Sequence, residues 1–322
     1  MKRIAVLTSG GDAPGMNAAI RAVVKTAVYN NMEVYGVYAG FQGLIDDRIV
    51  PFTVKDASGH IQNGGTILET GRSAAFTTTD GRKRAAENLK KYNIEGLVVI
   101  GGDGSFRGAL DLSKEHGIKV MGIPATIDND LAYTDITIGF DTAVNNVIDA
   151  VNKIRDTMTS HSRVSIVEVM GRHCGELALC AGIACGAEAI VIPEQGKPNV
   201  KEIVKNLTNN KKNGKKASII ILAEGAARSN ELKEMIFKEA DDFEIKSSVL
   251  GYIQRGGSPT VRDRILASRL GYTAVMLLKD DLTDKVIGEK KGDIITMDIA
   301  EAVAMKKQIH QEYLDIAKVL SL

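Results

Sequence analysis

Along most of this chain, runs of apolar residues alternate with amphipathic segments, and few architectures accept that pattern. Candidate strands fall at 4–7, 33–38, 97–100, 119–123, 164–169, 189–192, 218–223 and 248–252. Most are continuous Val, Ile, Leu and Ala runs and not strict alternations, which suits parallel strands covered on both faces. Between them the apolar positions form helical stripes. Val144, Ile148, Val151, Ile154 and Met158 repeat at three- and four-residue steps, with similar stripes near 16–29, 105–116, 202–207 and 262–278. The expected fold class is α/β, doubly wound, with mainly parallel sheets and ligands at the carboxyl ends of strands. A length of 322 residues suits two such domains, and no low-complexity linker marks a boundary.

Charge and cysteine content narrow the function classes. Lys and Arg total 41 against 40 Asp and Glu, a formal charge of +1, so anion binding must come from local clusters. This gives no general reason to expect nucleic acid or a membrane surface as partner. No apolar stretch is long enough to span a bilayer, and Gly10, Gly11 and Asp12 interrupt the first apolar run before a signal-peptide core is complete. The expectation is a cytoplasmic protein. Cys174, Cys180 and Cys185 lack zinc-type spacing and read as small core residues on a helix. The Lys211–Lys216 cluster reads as a solvated loop.

Chemistry concentrates where strands end. After the run 118–123 comes TIDND (126–130), with Thr126, Asp128 and Asp130 at alternate positions. In an extended segment those three side chains point to one face. Converging carboxylates need a cation or a shared proton, as at a site that deprotonates a hydroxyl and handles magnesium. A polar turn after a strand, rich in Asp and Asn for backbone reasons, fits the same residues. The first strand leads into SGGDAPG (9–15) and the third into GGDGS (101–105). Glycines there let phosphate approach the backbone at a helix N-terminus, although a tight unliganded turn is the other reading. Neither segment is a Walker A or dinucleotide fingerprint. Arg72, Arg163, Arg172 and Arg255 stand singly at strand ends, where a planar guanidinium suits phosphate oxygens, although any one alone reads sooner as a surface ion pair and the four count only together. Glu224 stands at another strand end, able to accept from sugar hydroxyls or to serve as a helix-entry carboxylate.

Taken together, SGGDAPGMNAAIR (9–21), GGDGS, TIDND, TIGFDTA (137–143), VEVMGRHCG (167–175), AEG (223–225) and QRGGSP (254–259) resemble the bacterial ATP-dependent 6-phosphofructokinase family, in order and spacing, over essentially the whole chain. The resemblance implies transfer of the ATP γ-phosphoryl group to the 1-hydroxyl of fructose 6-phosphate. It implies two Rossmann-like domains, 1–139 plus 252–304 and 140–251 plus 305–322, with the active site between them, and a homotetramer. By matching position, Asp128 is the general base, Thr126 contacts the transferring group and Asp130 supports the site. Asp103 is the Mg2+ ligand, while Gly11, Arg72, Ser73, Gly102, Gly104 and Ser105 bind ATP. Arg72 and Arg172, with Gly11 also in the catalytic set, stabilise transition-state charge. The sugar phosphate falls to Thr126, Ile127, Asp128, Arg163, Met170, Gly171, Arg172, Glu224, Lys246, Tyr252, Ile253, Gln254 and Arg255, some reaching from a neighbouring subunit.

Pyrophosphate-dependent relatives usually carry Asp and Lys where this chain has Gly104 and Ala125, so the resemblance favours ATP. Departures fall elsewhere. Lys246 replaces a usual Arg, keeping charge without the bidentate fork, and Tyr252 replaces a usual His. The family's ADP and phosphoenolpyruvate effector site maps to Arg21, Ala22, Val23, Val24, Lys25, Arg155, Gly186, Ala187, Glu188, Lys215 and Lys216. Asn213 and Ala217 stand where basic residues and His are common, which implies weakened or altered allostery. Two other readings share features of the chain: an NAD or lipid kinase with the GGDG turn, and a non-catalytic nucleotide sensor. The first lacks a counterpart to TIDND and the second predicts loss of Asp128 or the arginines.

Overall fold

The computed structural model describes residues 1–161 and 163–320. The last two residues of the expected 305–322 segment lie outside it. Its strands are β1 (Arg3–Thr8), β2 (Glu33–Val37), β3 (Ile49–Pro51), β4 (Gly96–Gly101), β5 (Lys119–Pro124), β6 (Val164–Val169), β7 (Ala189–Val191), β8 (Ser218–Ala223), β9 (Ile245–Val249), β10 (Lys285–Lys290) and β11 (Asp293–Asp298). Its helices are α1 (Met16–Tyr29), α2 (Gly40–Ile45), α3 (Thr79–Lys91), α4 (Asp103–His116), α5 (Phe140–His161), α6 (Glu176–Ala184), α7 (Val200–Lys212), α8 (Ser229–Glu239), α9 (Val261–Lys279), α10 (Ile299–Ala302) and α11 (Gln311–Leu320).

The chain divides into two compact units: Met1–Ile127, Leu131–Thr142 and Arg255–Lys306 form one, and Asp128–Asp130, Ala143–Gln254 and Lys307–Leu322 the other. In the first, the sheet order is β11-β10-β5-β4-β1-β2-β3. The run from β10 to β2 is parallel, and β3 and β11 close the edges antiparallel. β1 and β4 are almost wholly buried, as continuous apolar strands require when helices cover both faces. In the second, β7-β8-β6-β9 form an all-parallel sheet. One of its faces packs Val147, Val151, Val167, Val169 and Ile221, and the other Ile166, Ile220, Leu222, Leu232 and Ile236. The doubly wound, mainly parallel α/β expectation is met.

Caps set the helix starts. Thr78, Asn199 and Thr260 accept hydrogen bonds from the N–H groups of Gly81, Glu202 and Asp263, each three residues on. α1 instead starts from Gly15 at φ +109°, a conformation open mainly to glycine.

Two local expectations need correction, and one hairpin had no sequence signal. The strand expected at 248–252 lies earlier, at β9, and Gly251–Arg255 form a 3-10 turn with Gly251 at φ +55°. β9 is an edge strand with polar outward positions, so its apolar signal is weaker than that of the Val-Leu-Gly-Tyr-Ile turn beside it. Cys174 sits in the turn before α6 instead of on a helix; Cys180 is on α6 and Cys185 closes it, all with free thiols. The β10–β11 hairpin, turned at Lys291 (φ +53°) and Gly292 (φ +87°), carries too many charges to stand out by hydrophobicity. Among the described residues no helix is long and apolar enough to cross a membrane.

Gly122 of β5 fixes how closely α4 approaches the sheet. A Cβ there would lie 2.7 Å from Phe106 and 2.8 Å from Val286. Gly122→Ala should overpack this layer by about 1–3 kcal/mol and lower the circular-dichroism melting midpoint by several degrees. An unchanged midpoint would show that the layer yields.

Candidate functional site

In the first unit, three strands end together and their loops bond to one another. Thr8 pairs with Ile100, and Gly101 with Pro124, so β1, β4 and β5 stop at one level. Beyond Thr8, the Ser9 N–H donates to Ile100 O at 2.9 Å, and the Ser105 hydroxyl donates to Ser9 Oγ at 2.9 Å. A third loop joins them: Gly10 N–H donates to Gly71 O at 3.3 Å, and the Thr70 hydroxyl to Gly10 O at 3.1 Å. The loops that carry Gly11, Arg72 with Ser73, and Gly102–Ser105 are thus bonded to one another. Gly71, Gly102 and Gly104 face open space, where a Cβ would meet nothing within 4 Å. Arg72 is exposed, and the Ser73 hydroxyl donates to Gln42 Oε1 at 2.6 Å.

Asp103 is the first residue of α4, where the helix N-terminus favours a carboxylate. One of its oxygens accepts from Arg107 Nε at 2.9 Å. Arg255, grouped by sequence with the sugar residues, lies against the glycine turn. Its guanidinium is 3.7 Å from Asp12, and a Cβ on Gly11 would be 3.0 Å from it. The Asp12 pairing left no signal in the sequence.

The 126–130 segment is not the extended run that the alternation argument assumes. β5 ends at Pro124, Ala125 pairs with Ile138, and the chain bends at Ile127 and Asp128. Asn129 then adopts φ +47°. Strict alternation of Thr126, Asp128 and Asp130 is therefore lost: Asp128 is buried, while Thr126 and Asp130 are half-buried. Thr126 N–H donates to Ile138 O at 3.1 Å, and the Thr137 hydroxyl to Thr126 O at 2.6 Å.

In the second unit, Asp128 meets Arg172. The Arg172 Nε is 3.6 Å from Asp128 Oδ2, with Asp128 at 5% residual exposure. Arg172 has φ +52° and its N–H donates to Glu224 Oε1 at 3.0 Å, while Glu224 N–H donates to Val169 O at 2.9 Å. Gln254, wholly buried, accepts from Met170 N–H at 3.1 Å and donates to Gly251 O at 2.9 Å. A cavity of about 210 Å³ opens here, lined by Glu168, Val169, Met170, Glu224, Val249, Gly251 and Tyr252. Tyr252 and Ile253 are exposed. Glu168, missed in the sequence, accepts from the Ser229 N–H at 2.7 Å and caps α8. Glu244, also missed, joins two expected phosphate ligands: Arg163 at 2.7 Å and Lys246 at 3.2 Å. Those two cations hold the Glu244 carboxyl below its ordinary range, Arg163 first.

The expected effector residues separate by burial. Ala22, Val23 and Val24 pack into the first core, so of the five expected residues on α1 the half-buried Arg21 and Lys25, one helical turn apart, are the two that reach the surface. In the second unit, buried Glu188 joins Lys215 at 2.7 Å and Arg155 at 3.8 Å. Arg155 also donates to the carbonyls of Cys185 at 2.7 Å and Gly186 at 3.3 Å. Ala187 is buried and Lys216 exposed.

A family model described as Phosphofructokinase matches residues 3–278. Over its whole length the chain is 55% identical to a Clostridium botulinum protein named ATP-dependent 6-phosphofructokinase, covering all of that protein. It is 54% identical to a Clostridioides difficile protein of the same name, again with both chains fully covered. Among solved structures, a phosphofructokinase from Saccharomyces cerevisiae superposes with a TM-score of 0.91 at 34% identity. That match covers 99% of this chain and 50% of the yeast chain, so the protein spans half the yeast chain's length.

Gly225 lets the loop after β8 close on the Arg172 turn, since a Cβ there would lie 1.9 Å from Arg172 O. Gly225→Ala should force that contact apart, lowering the melting midpoint by a few degrees for roughly 1–3 kcal/mol of strain. A calorimetric scan superimposable on the parent would refute this.

Proposed function

The chain belongs to the phosphofructokinase family, and from that premise we propose that it transfers the γ-phosphoryl group of ATP to the 1-hydroxyl of fructose 6-phosphate, with Asp128 as the base. The observation that carries the assignment of the base is the buried Asp128 carboxylate with the Arg172 guanidinium at 3.6 Å. Phosphoryl transfer asks little covalent chemistry of a protein and depends on positioning and electrostatic stabilisation. Asp128 takes the proton of the attacking hydroxyl. Arg172 beside it, and the exposed Arg72, offset charge that develops on the phosphoryl oxygens. Thr126 contacts the transferring group, and Asp130 supports the segment. Glu224 and Met170 orient the sugar at the mouth of the cavity, while Arg163, Lys246 and Tyr252 receive its phosphate.

For the donor, the open glycines 102 and 104 leave space for adenosine phosphates at the N-terminus of α4. Asp103 offers one carboxylate, and among the described residues no group of three or more His, Cys, Asp or Glu side chains could enclose a metal ion. That donor set fits a magnesium ion held mainly by nucleotide phosphates, which needs only one or two protein carboxylates. Held there, a magnesium ion would supply positive charge that stabilises the transferring phosphoryl group. Asp103 would hold it through the oxygen that Arg107 does not occupy.

The same reading makes the protein a cytoplasmic homotetramer. The anion pocket for ADP or phosphoenolpyruvate would rest on Arg21, Lys25, Arg155 and Lys215, with a muted response because Asn213 and Ala217 supply no charge. Initial rates should show less than full inhibition by phosphoenolpyruvate. Strong inhibition relieved by ADP would overturn the muted response.

The main test is a coupled assay with magnesium, ATP or pyrophosphate, and a panel of sugar phosphates. Turnover should need ATP and fructose 6-phosphate, and absence of turnover with either donor would refute the reaction. Asp128→Asn should lower kcat by about 10²–10⁴-fold while leaving the KM for ATP nearly unchanged. Activity within a fewfold of the parent would exclude Asp128 as base.

A further inference from the structure

Asp263 has no place in the chemistry above, yet it is wholly buried and both its oxygens are engaged. Oδ1 accepts from Gly139 N–H at 2.8 Å; Oδ2 accepts from Thr142 N–H at 2.9 Å and from the Thr142 hydroxyl at 2.5 Å. The Thr142 hydroxyl in turn accepts from Thr260 N–H at 3.0 Å. The carboxylate thus sits between the N-termini of α5 and α9, whose dipoles offset its charge. A single helix cap needs only a Ser, Thr or Asn oxygen, and burying a carboxylate costs more than either hydroxyl or amide. What only a carboxylate does here is accept from two points of one chain, Gly139 and Thr142, through two separate oxygens.

Those two points control the segment that carries the proposed base. Ile138, adjoining Gly139, accepts from Thr126 N–H at 3.1 Å and donates to Pro124 O at 3.1 Å. Thr137 holds the Thr126 carbonyl from the other side at 2.6 Å. Asp263 is therefore two hydrogen-bonded links from Thr126, which stands two residues before Asp128. The nucleotide-side turn rests on the same group. Gly15 has no room for a Cβ, which would lie 2.6 Å from Ile138 and 3.5 Å from Asp263. Gly139, at φ +100°, would place a Cβ 2.7 Å from Ala13.

We propose that Asp263, acting through Thr142 and the 137–139 segment, is a positioning residue that fixes where the 126–130 segment presents its carboxylates for phosphoryl transfer. This rests on the reading of Asp128 as the base. A misplacement of the base costs rate in the chemical step and leaves substrate affinity largely intact, because both substrates still find their own contacts.

The test uses Asp263→Asn, Thr142→Val and Thr142→Ser in the full chain, with Asp128→Asn as reference. Steady-state kinetics in both substrates would be measured well below each variant's melting midpoint. Asp263→Asn turns one acceptor into a donor facing Thr142, and Thr142→Val removes the hydroxyl while keeping the side chain's shape. Each should lower kcat by about tenfold or more, with KM values moving less than about threefold, and Thr142→Ser should stay within about twofold of the parent. If Asp263→Asn does not fold, the Thr142 pair carries the test alone. Unchanged kcat in Thr142→Val, with Asp128→Asn inactive, would overturn the inference. So would equal losses in Thr142→Ser and Thr142→Val, or losses that only track the folded fraction. A kcat loss in Thr142→Val beside a fully active Asp128→Asn would uphold the positioning and place the error in the base assignment.

Discussion

Thr8 pairs with Ile100 and Gly101 with Pro124, so three parallel strands of the first sheet release their chains at the same height. Parallel ladders are evenly spaced, and a slip of one residue would turn each strand's buried side chains toward the other face. With β1, β4 and β5 apolar on both faces, register is held instead by where each strand stops and what its loop bonds to. Ser9 N–H continues the ladder onto Ile100 O, and Ala125 N–H onto Gly101 O, each at 2.9 Å. The glycine turns after β1 and β4 and the start of the 126–130 segment inherit their mutual placement from these two bonds. Chemistry at this edge is a consequence of backbone pairing before any side chain acts.

Pairing alone leaves the path after Ala125 open, and buried polar groups close it. Thr126, Thr137, Thr142 and Asp263 form a connected set in which donors meet acceptors inside the protein, a condition for keeping such groups out of water. Burial pushes the Asp263 carboxyl above its ordinary range, while its hydrogen bonds from Thr142 and Gly139 pull the other way. The opposition means the site tolerates the charge only while those donors stay aligned. A network of that kind rejects alternative backbone paths more strongly than apolar packing does, because each would strand a charge.

The residue types at the site were legible in the sequence, while several of their conformations were not. TIDND could be recognised by composition and neighbours, but treating it as extended overlooked Asn129 in the left-handed region, where Asn is more at ease than most residues. The glycine turns were readable from composition alone, since a Cβ at Gly102 or Gly104 would meet nothing within 4 Å and the protein's own packing does not demand glycine there. Asp263 was not, since it lies more than a hundred residues from the segment it supports and reads locally as an ordinary helix-start carboxylate. Glu244 and the Asp12–Arg255 pair were invisible for the same reason: long-range ion pairs have no period. β9 was misplaced because edge strands carry half a hydrophobic signal.

The two arginines assigned to charge stabilisation differ in what they must lose on binding. Arg172 holds a left-handed backbone next to Gly171 at φ +133°, and such conformations cost about 1–3 kcal/mol for a non-glycine residue. The cost is met by the Glu224 carboxylate on its N–H, by Cys174 N–H on Gly171 O, and by the close seat of Gly225. Its guanidinium lies 3.6 Å from Asp128 although the residue is exposed, so the ion pair restrains it only in part before the transition state. Arg72 projects from a loop whose neighbours Thr70 and Gly71 are bonded to Gly10, but its own side chain is exposed. Ordering a free arginine costs up to roughly 2 kcal/mol of rotamer entropy. In the proposed reaction Arg72 would contribute most when nucleotide phosphates supply the interaction that orders it, whereas Arg172 starts from a backbone that the fold holds in place and a carboxylate 3.6 Å away.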